Sequence, residues 1–357
     1  MPITSSDKLL VHAPLPAPPG WLDAVAKRFP QLTVRWEIAG ATNWGPVSAD
    51  TLPDEVLQGV TLLAVYPPVK PDKIPDVRFV QLISAGHDLW RGNAKYLDEG
   101  VVFCNAGGAH PPQIAEWVIG SWLSFSHRLD YFREQQIAQE WNFRTIGTHP
   151  TTDSAGLRMG ILGYGAIGRQ VARLAQALGM EIYAYTQSPR LTAESRRVPD
   201  NTYIVPNLGD SEGVIPTKWF HGAGVSAINE FLGQDLDILV LSLPSSPATD
   251  GIIGKEQFQI MSKTKTFVSN VARGTIVNTD ALVEALNEGL IRGAALDVTD
   301  PEPLPKGHPL WTCPNVYISP HRSFNSSKLV SRLADIVFQN LDRLDKGEPL
   351  LNVIKRS

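Results

Sequence analysis

The residues of this chain that could do chemistry fall in a few short segments. Gly163-Tyr164-Gly165-Ala166-Ile167-Gly168 follows an apolar run, Leu157 to Leu162, and opens a helix-forming stretch, Ala166 to Leu178. In that context the first glycine permits a tight turn and the second lets a pyrophosphate approach the backbone. The third lets helix pack on strand, so that the helix N-terminus faces the phosphates. The spacing predicts a dinucleotide site in which Gly163, Gly165, Ala166, Ile167 and Gly168 touch the cofactor. In the NAD form of such a site an acid about 20 residues further on binds the ribose 2′-hydroxyl. Here the next strand ends Ala184-Tyr185-Thr186-Gln187-Ser188-Pro189-Arg190, without an acid. Thr186, Gln187 and Ser188 can donate hydrogen bonds to a 2′-phosphate, and Arg190 can add a charge-assisted pair. NADP(H) is therefore expected in preference to NAD(H).

Three further segments each put a functional side chain after a strand, where open α/β sheets bind their ligands. They are Ser269-Asn270-Val271-Ala272-Arg273-Gly274, then Leu296-Asp297-Val298-Thr299-Asp300-Pro301-Glu302-Pro303, then Ile318-Ser319-Pro320-His321-Arg322-Ser323. Val271, together with Leu243 and Pro244 at another strand end, is counted among the cofactor contacts. Taken singly, Arg273, Glu302 and His321 could each be an ordinary ion-pair partner, a solvated turn acid and a loop histidine.

The elements that must position these residues are legible as alternating runs. Short apolar stretches at Leu9–Ala13, Leu32–Trp36, Val60–Tyr66, Phe79–Ser84 and Val101–Asn105 predict a first parallel α/β unit. Gln113 to Arg144 predicts one long amphipathic helix leading out of it. A second α/β unit is predicted from the strands Leu157–Leu162, Glu181–Tyr185, Leu236–Leu243, Thr266–Asn270, Arg292–Val298 and Val316–Ser319, with helical stretches such as Asp280 to Glu288 between. Thr192 to His221, rich in Pro and Gly, predicts an inserted loop with at most one short strand, a surface excursion. Ser326 to Asp345 predicts a closing helix.

Composition bounds the partners. The chain has 357 residues, enough for two α/β domains, with 43% hydrophobic and 19% charged residues, a globular balance that excludes disorder as the main theme. A net charge of −4 leaves no basic field for a phosphate backbone, so nucleic acid is excluded as a partner. Cys104 and Cys313 have neither disulfide-framework nor metal-ligand spacing, so no metal is expected. No signal peptide or apolar run of membrane-spanning length is seen, and a soluble cytoplasmic protein is expected.

The glycine turn and the three strand-end segments, in this order and spacing over Leu157 to Ser323, resemble the D-isomer-specific 2-hydroxyacid dehydrogenases, in particular the glyoxylate and hydroxypyruvate reductase type. Gln81-Leu82-Ile83-Ser84-Ala85-Gly86-His87-Asp88 is similar to the family's substrate-carboxylate loop. The resemblance implies Arg273, Glu302 and His321 as the catalytic set, and the chemistry asks for those residue types. Reducing a 2-oxo acid to the D-2-hydroxy acid moves a hydride to the carbonyl carbon while negative charge builds on its oxygen, so a proton donor and a cation must be poised there. His321 would be the acid in reduction and the base in oxidation, Glu302 would orient its imidazole, and Arg273 would pair with the substrate carboxylate. Similarity to the family adds the backbone amides of Ser84, Ala85 and Gly86 on the carboxylate and Asp297 as a nicotinamide-carboxamide contact. His87 is a candidate pocket residue. His12, His110, His127, His149, His221 and His308 read as structural or exposed.

Together these features predict an α/β chain of two doubly wound parallel-sheet domains with a cleft between them. Residues 1–124, completed by 326–357, would form a flavodoxin-like substrate domain, and 125–325 a Rossmann dinucleotide-binding domain. Pocket selectivity is expected from the N-terminal unit and from Trp141 or its neighbours. A homodimer through the long helix is implied by the resemblance. Two departures stand out, the missing acid at Thr186 and the insertion from Pro199 to His221. The formate-dehydrogenase branch would want Gln where Glu302 stands, which argues for a 2-oxo acid substrate. The competing reading is a dinucleotide-sensing scaffold or corepressor-like protein of the same fold, which could keep the glycines. A different reaction on the fold, such as phosphonate or amino-acid oxidation, is a further rival.

Overall fold

The computed structural model describes residues 2–42, 45–142 and 151–356. The described chain divides into two compact units, one of residues 1–110, 199–206 and 326–357 and one of residues 111–198 and 207–325.

The first unit is built on β1 (Lys8–Ala13), β2 (Thr33–Ile38), β5 (Leu62–Val65), β6 (Phe79–Leu82) and β7 (Val102–Cys104), all parallel, in the order β2-β1-β5-β6-β7. This is the 2-1-3-4-5 order of flavodoxin-like sheets. A two-strand hairpin, β3 (Ala41–Thr42) and β4 (Gly45–Pro46), stands apart from it. The helices are α1 (Trp21–Arg28), the single turns α2 (Asp54–Leu57) and α3 (Ala94–Leu97), and the last long helix, α11 (Leu329–Lys346). β5 and β6 are buried at every residue because helices cover both faces of a parallel sheet, which is why they read as unbroken apolar runs. β2, at the edge, is only partly buried.

One buried polar network fixes α11 to this sheet. Asn340, wholly buried, donates from Nδ2 to Gln81 Oε1 (2.8 Å) and to the Leu351 carbonyl (3.2 Å), and its Oδ1 accepts from the Leu351 amide (2.8 Å). Gln81, 1% exposed, donates in turn to the Leu82 carbonyl at 3.0 Å. At the other face of α11, Trp21 Nε1 donates to the Ala334 carbonyl (2.9 Å) and Arg28 pairs with Asp342 and Asp345. Gln81 belongs to β6, whose end at Leu82 is two residues before the segment Ser84 to Gly86.

The second unit carries a seven-stranded sheet of β8 (Arg158–Leu162), β9 (Glu181–Thr186), β10 (Lys218–His221), β11 (Ile238–Leu241), β12 (Phe267–Asn270), β13 (Gly293–Leu296) and β14 (Val316–Ile318). All pairs are parallel, in the order β10-β9-β8-β11-β12-β13-β14. This is the dinucleotide-binding order 3-2-1-4-5-6 extended by one strand, with its topological switch between β8 and β11. Its helices are α4 (Pro111–Ser126), α5 (Leu129–Ala138), α6 (Ala166–Ala177), the turn α7 (Ala193–Arg196), α8 (Val225–Leu232), α9 (Lys255–Met261) and α10 (Thr279–Asn287).

Three expectations need correction. The long helix from Gln113 is two helices, because Arg128 takes a left-handed backbone (φ 58°) between α4 and α5. α4 buries Ile114, Ala115, Val118, Ile119 and Trp122 against Val171, Ala172 and Ala175 of α6, whereas no residue of α5 is fully buried. The expected end of that helix at Arg144 lies outside the described residues. For the same packing reason residues 111–124 group with the second unit, not the first. Finally, Thr192 to His221 is no single excursion. It holds α7 and the edge strand β10, and its middle, Pro199–Pro206, packs within the first unit. There Tyr203 is 4% exposed, donates its hydroxyl to Asp335 (2.9 Å), and lays its carbonyl so close to Gly108 that a Cβ on that glycine would lie 2.0 Å from it.

Asn340→Ala is expected to lower the stability of the first unit by about 2–4 kcal/mol, since Gln81 and Leu351 are left with buried unpaired groups costing roughly 1–3 kcal/mol each. Equilibrium urea unfolding checks this, and a loss under about 0.5 kcal/mol would contradict the assignment.

Candidate active site

The parallel pairing places three strand ends side by side. Asn270, Leu296 and Ile318, the last residues of β12, β13 and β14, are register partners, so the segments carrying Arg273, Asp297 and His321 leave the sheet as neighbours. Asp297 organises the last of these. Its carboxylate is 2% exposed and accepts from Ser319 Oγ (2.5 Å), the Arg322 amide (2.8 Å), the Ser323 amide (3.0 and 3.1 Å) and Ser323 Oγ, while its carbonyl accepts from the His321 amide at 2.8 Å. The side chain thus caps the His321 turn, a structural duty apart from the nicotinamide contact that the resemblance implied.

His321 sits in that turn with φ 52°, a left-handed conformation that a non-glycine residue holds only where its surroundings fix it. The turn presents the ring to Glu302, whose Oε1 lies 2.7 Å from His321 Nδ1. Both side chains are 41% exposed, so the pair is accessible to a small molecule. Phe324 packs edge-on to the ring at 6.2 Å. The two residues, 19 apart in sequence, are thus brought into contact, with Nδ1 engaged by the carboxylate.

Two features that place Glu302 and Arg273 escape a reading of the sequence for motifs. A Cβ on Gly274 would lie 2.0 Å from the Thr299 backbone, so only glycine lets the loop after β13 cross the turn after β12. Asn270, 1% exposed, brackets that turn, accepting from the Ala272 amide (3.0 Å) and donating to the Arg273 carbonyl (2.9 Å). Arg273 is half-buried and donates from Nη1 to the Ala272 carbonyl at 2.7 Å. The signal available for both is an asparagine closing an apolar strand shortly before Gly274.

The glycine turn fits a dinucleotide. Gly163 (φ 105°) packs so closely on the segment after β11 that a Cβ would lie 2.7 Å from the Leu243 amide nitrogen. Ser242 Oγ donates to the Gly163 carbonyl at 2.8 Å. Gly168 lies under the Gly163 carbonyl, where a Cβ would come within 2.5 Å. Gly165 differs: a Cβ there would meet nothing within 4 Å, so the protein's own packing does not demand glycine and the space in front of α6 is open. No side chain caps that helix, so the first-turn amides around Ala166, Ile167 and Gly168 have no side-chain acceptor, the condition under which a helix N-terminus can take an anion. Thr186, half-buried at the end of β9, donates its hydroxyl to the Ser188 carbonyl (2.7 Å), and Gln187 and Ser188 are exposed. Leu243 is half-buried and Pro244 exposed beside the glycine turn. Val271 is 8% exposed and packs in the core, so only its backbone is offered to a ligand.

In the first unit, Ser84 Oγ donates to the Gly86 carbonyl at 2.7 Å and the Ala106 amide holds the Ser84 carbonyl (2.9 Å), which shapes the turn Ser84-Ala85-Gly86 after β6. His87 follows, its Nδ1 2.9 Å from the Tyr96 hydroxyl and its ring stacked on that of Tyr96. Among the other histidines, His12 and His110 are buried, and burial pushes His110 down to about 4, so it is neutral. His149 lies outside the described residues. Trp141 is 96% exposed and its neighbours from residue 143 onward lie outside the described residues.

The sequence pattern of the family described as D-isomer specific 2-hydroxyacid dehydrogenase, NAD binding domain, matches residues 119–205 and 216–323. A hydroxypyruvate reductase of Blautia hydrogenotrophica is 28% identical over 80% of this chain and 80% of its own. A glyoxylate reductase of Aeropyrum pernix is 31% identical over 72% of this chain and 70% of its own. The crystal structure of a D-isomer specific 2-hydroxyacid dehydrogenase from Xanthobacter autotrophicus Py2, in complex with NADPH and MES, is 26% identical, with a TM-score of 0.72 over 98% of each chain. No helix among the described residues is long and apolar enough to cross a membrane. The chain belongs to the D-isomer-specific 2-hydroxyacid dehydrogenase family of enzymes, and the glycine turn, Arg273, Glu302 and His321 all fall within the matched NAD-binding domain.

Proposed function

We propose that this enzyme reduces a small 2-oxo acid of the glyoxylate or hydroxypyruvate kind to the D-2-hydroxy acid, with NADP(H) preferred over NAD(H). The observation that carries the reading is the 2.7 Å contact of Glu302 with His321 beside the strand end that bears Arg273. When bound, the nicotinamide supplies the hydride. Glu302 holds the ring through Nδ1, which leaves Nε2 as the position from which His321 gives its proton to the developing alkoxide and takes it back in oxidation. Arg273 pairs with the substrate carboxylate through its planar fork and draws charge toward the carbonyl oxygen. The amides of Ser84, Ala85 and Gly86 take the remaining carboxylate lone pairs. Gly163, Gly165 and the first turn of α6 hold the pyrophosphate, and Thr186, Gln187, Ser188 and Arg190 receive the 2′-phosphate.

The preference for NADP(H) rests on the carboxylate missing from the end of β9, where an acid would repel a 2′-phosphate. The relatives named as glyoxylate and hydroxypyruvate reductases support the substrate class. A homodimer through α5 is supported by Leu129, Phe132 and Ile137, all exposed on that helix, and by Trp141 just beyond it. A cytoplasmic location is supported by two buried, free cysteines.

His321→Ala is expected to lower kcat by at least about a hundredfold, the usual scale of a lost general acid, while the Kd for NADPH stays within about twofold. Stopped-flow turnover with a parallel binding titration checks this, and near-normal turnover would remove His321 from the chemistry. Thr186→Asp is expected to shift the NADPH to NADH ratio of kcat/KM toward NADH by about tenfold or more, through charge repulsion of a 2′-phosphate. An unchanged ratio would place the 2′ end of the cofactor elsewhere.

A further inference from the structure

Residues 206–215 interrupt the family match, and the segments on either side of Pro199–Pro206 are bound to the glycine turn by a buried polar network. Tyr164, between the first two glycines and 4% exposed, donates its hydroxyl to Asp210 Oδ2 at 2.7 Å. Asp210, 6% exposed, also accepts from the Val214 and Ile215 amides (3.0 and 3.2 Å). Arg169, in the first turns of α6 and 7% exposed, donates to the Asp210 carbonyl and, at 2.5 Å, to the Arg196 carbonyl. Arg196 donates from Nε to the Arg190 carbonyl (2.9 Å) and lies over the Trp219 ring at 5.5 Å, and Trp219 meets Tyr164 edge-on. Arg190 Nη1 closes the circuit on the Ser195 carbonyl at 2.6 Å. The amides of Gly163 and Tyr164 both donate to the Tyr185 carbonyl, one residue before β9 ends.

This network is one-sided in charge. Among the described residues, Arg169, Arg190 and Arg196 share it with a single buried carboxylate, Asp210. The charge of Arg190 bears on Arg169, whose guanidinium is held below its ordinary range chiefly by burial. The exposed acid Glu212 is taken by Arg197, and Glu194 lies exposed on α7. Guanidinium groups confined together without matching carboxylates favour an anion with several acceptor oxygens. The place where a dinucleotide offers one, at the end of β9, is the 2′-phosphate.

We propose that residues 190–198 and 207–215 form a clamp that Tyr164, Asp210 and Arg169 fix to the glycine turn, and that the clamp adds Arg196 to Arg190 as a second cation for the 2′-phosphate. It rests on the proposed preference for NADP(H). Arg196 acts on the phosphate directly, and Tyr164 and Asp210 are positioning residues.

Calorimetric titration of the full chain with 2′,5′-ADP and with 5′-AMP tests this without any turnover. The intact protein is expected to bind 2′,5′-ADP at least about tenfold more tightly than 5′-AMP, and Arg196→Gln to lose about tenfold for 2′,5′-ADP with 5′-AMP within about twofold. Arg196→Lys should restore part of the loss. Tyr164→Phe, which keeps the packing and removes the bond to Asp210, should weaken 2′,5′-ADP in the same selective way by about threefold. Binding of 2′,5′-ADP by Arg196→Gln at the level of the intact protein overturns the clamp, as does an equal loss for both ligands in both variants. If the intact protein does not distinguish the two ligands, the preference for NADP(H) falls first and the clamp with it.

Discussion

The buried carboxylate of Asp297 is the constraint from which the candidate active site hangs. A carboxylate removed from water must be surrounded by donors, and here they all come from one short loop, Ser319 to Ser323. Satisfying that charge dictates the path of the backbone. Three consecutive amides, from His321 to Ser323, turn toward one residue, and His321 is forced into a left-handed conformation that its own side chain would not choose. The imidazole is thereby aimed by Asp297, at the end of β13, through the loop that carries it.

The same economy places the other two members. Glu302 stands on a loop that lies against Gly274 and is held at Asp300 by the Thr279 hydroxyl, so the turn bearing Arg273 and the loop bearing Glu302 shape each other. A side chain at Gly274 would push these two segments apart and disturb the placement of both Arg273 and Glu302. Preorganisation of this kind matters because a proton donor displaced by an ångström forfeits much of its effect. The first unit uses a parallel device: Asn340 and Gln81 lock α11 to β6, two residues before the turn Ser84 to Gly86.

Much of this is legible in the sequence because it is local. Continuous apolar runs such as Ile238–Leu241 announce central parallel strands, and glycines spaced two and three apart between a strand and a helix announce a turn that a phosphate can approach. The grouping of Arg273, Glu302 and His321 is legible only as a family pattern, since the adjacency of the segments that carry them depends on the pairing of β12, β13 and β14. What escapes is non-local or a matter of single torsions. The break at Arg128 leaves no mark on the apolar periodicity that runs from Gln113 onward. The loop around Asp210 reads as a surface excursion because its proline and glycine content hides one buried carboxylate whose partner, Tyr164, is 46 residues earlier. The capping duty of Asp297 is invisible for the same reason, because the donors that occupy it lie at the next strand end, in a different segment.

The central question is whether this arrangement turns over a 2-oxo acid, since a protein that only senses dinucleotides could keep the same glycine turn. The direct measurement is the loss of nicotinamide absorbance when purified protein is mixed with NADPH or NADH and, in turn, glyoxylate, hydroxypyruvate, pyruvate and phenylpyruvate. The expected result is catalytic oxidation of the cofactor with at least one of the small acids, faster with NADPH than with NADH. Tight cofactor binding with no turnover of any of them would contradict the reductase assignment and favour a sensing role.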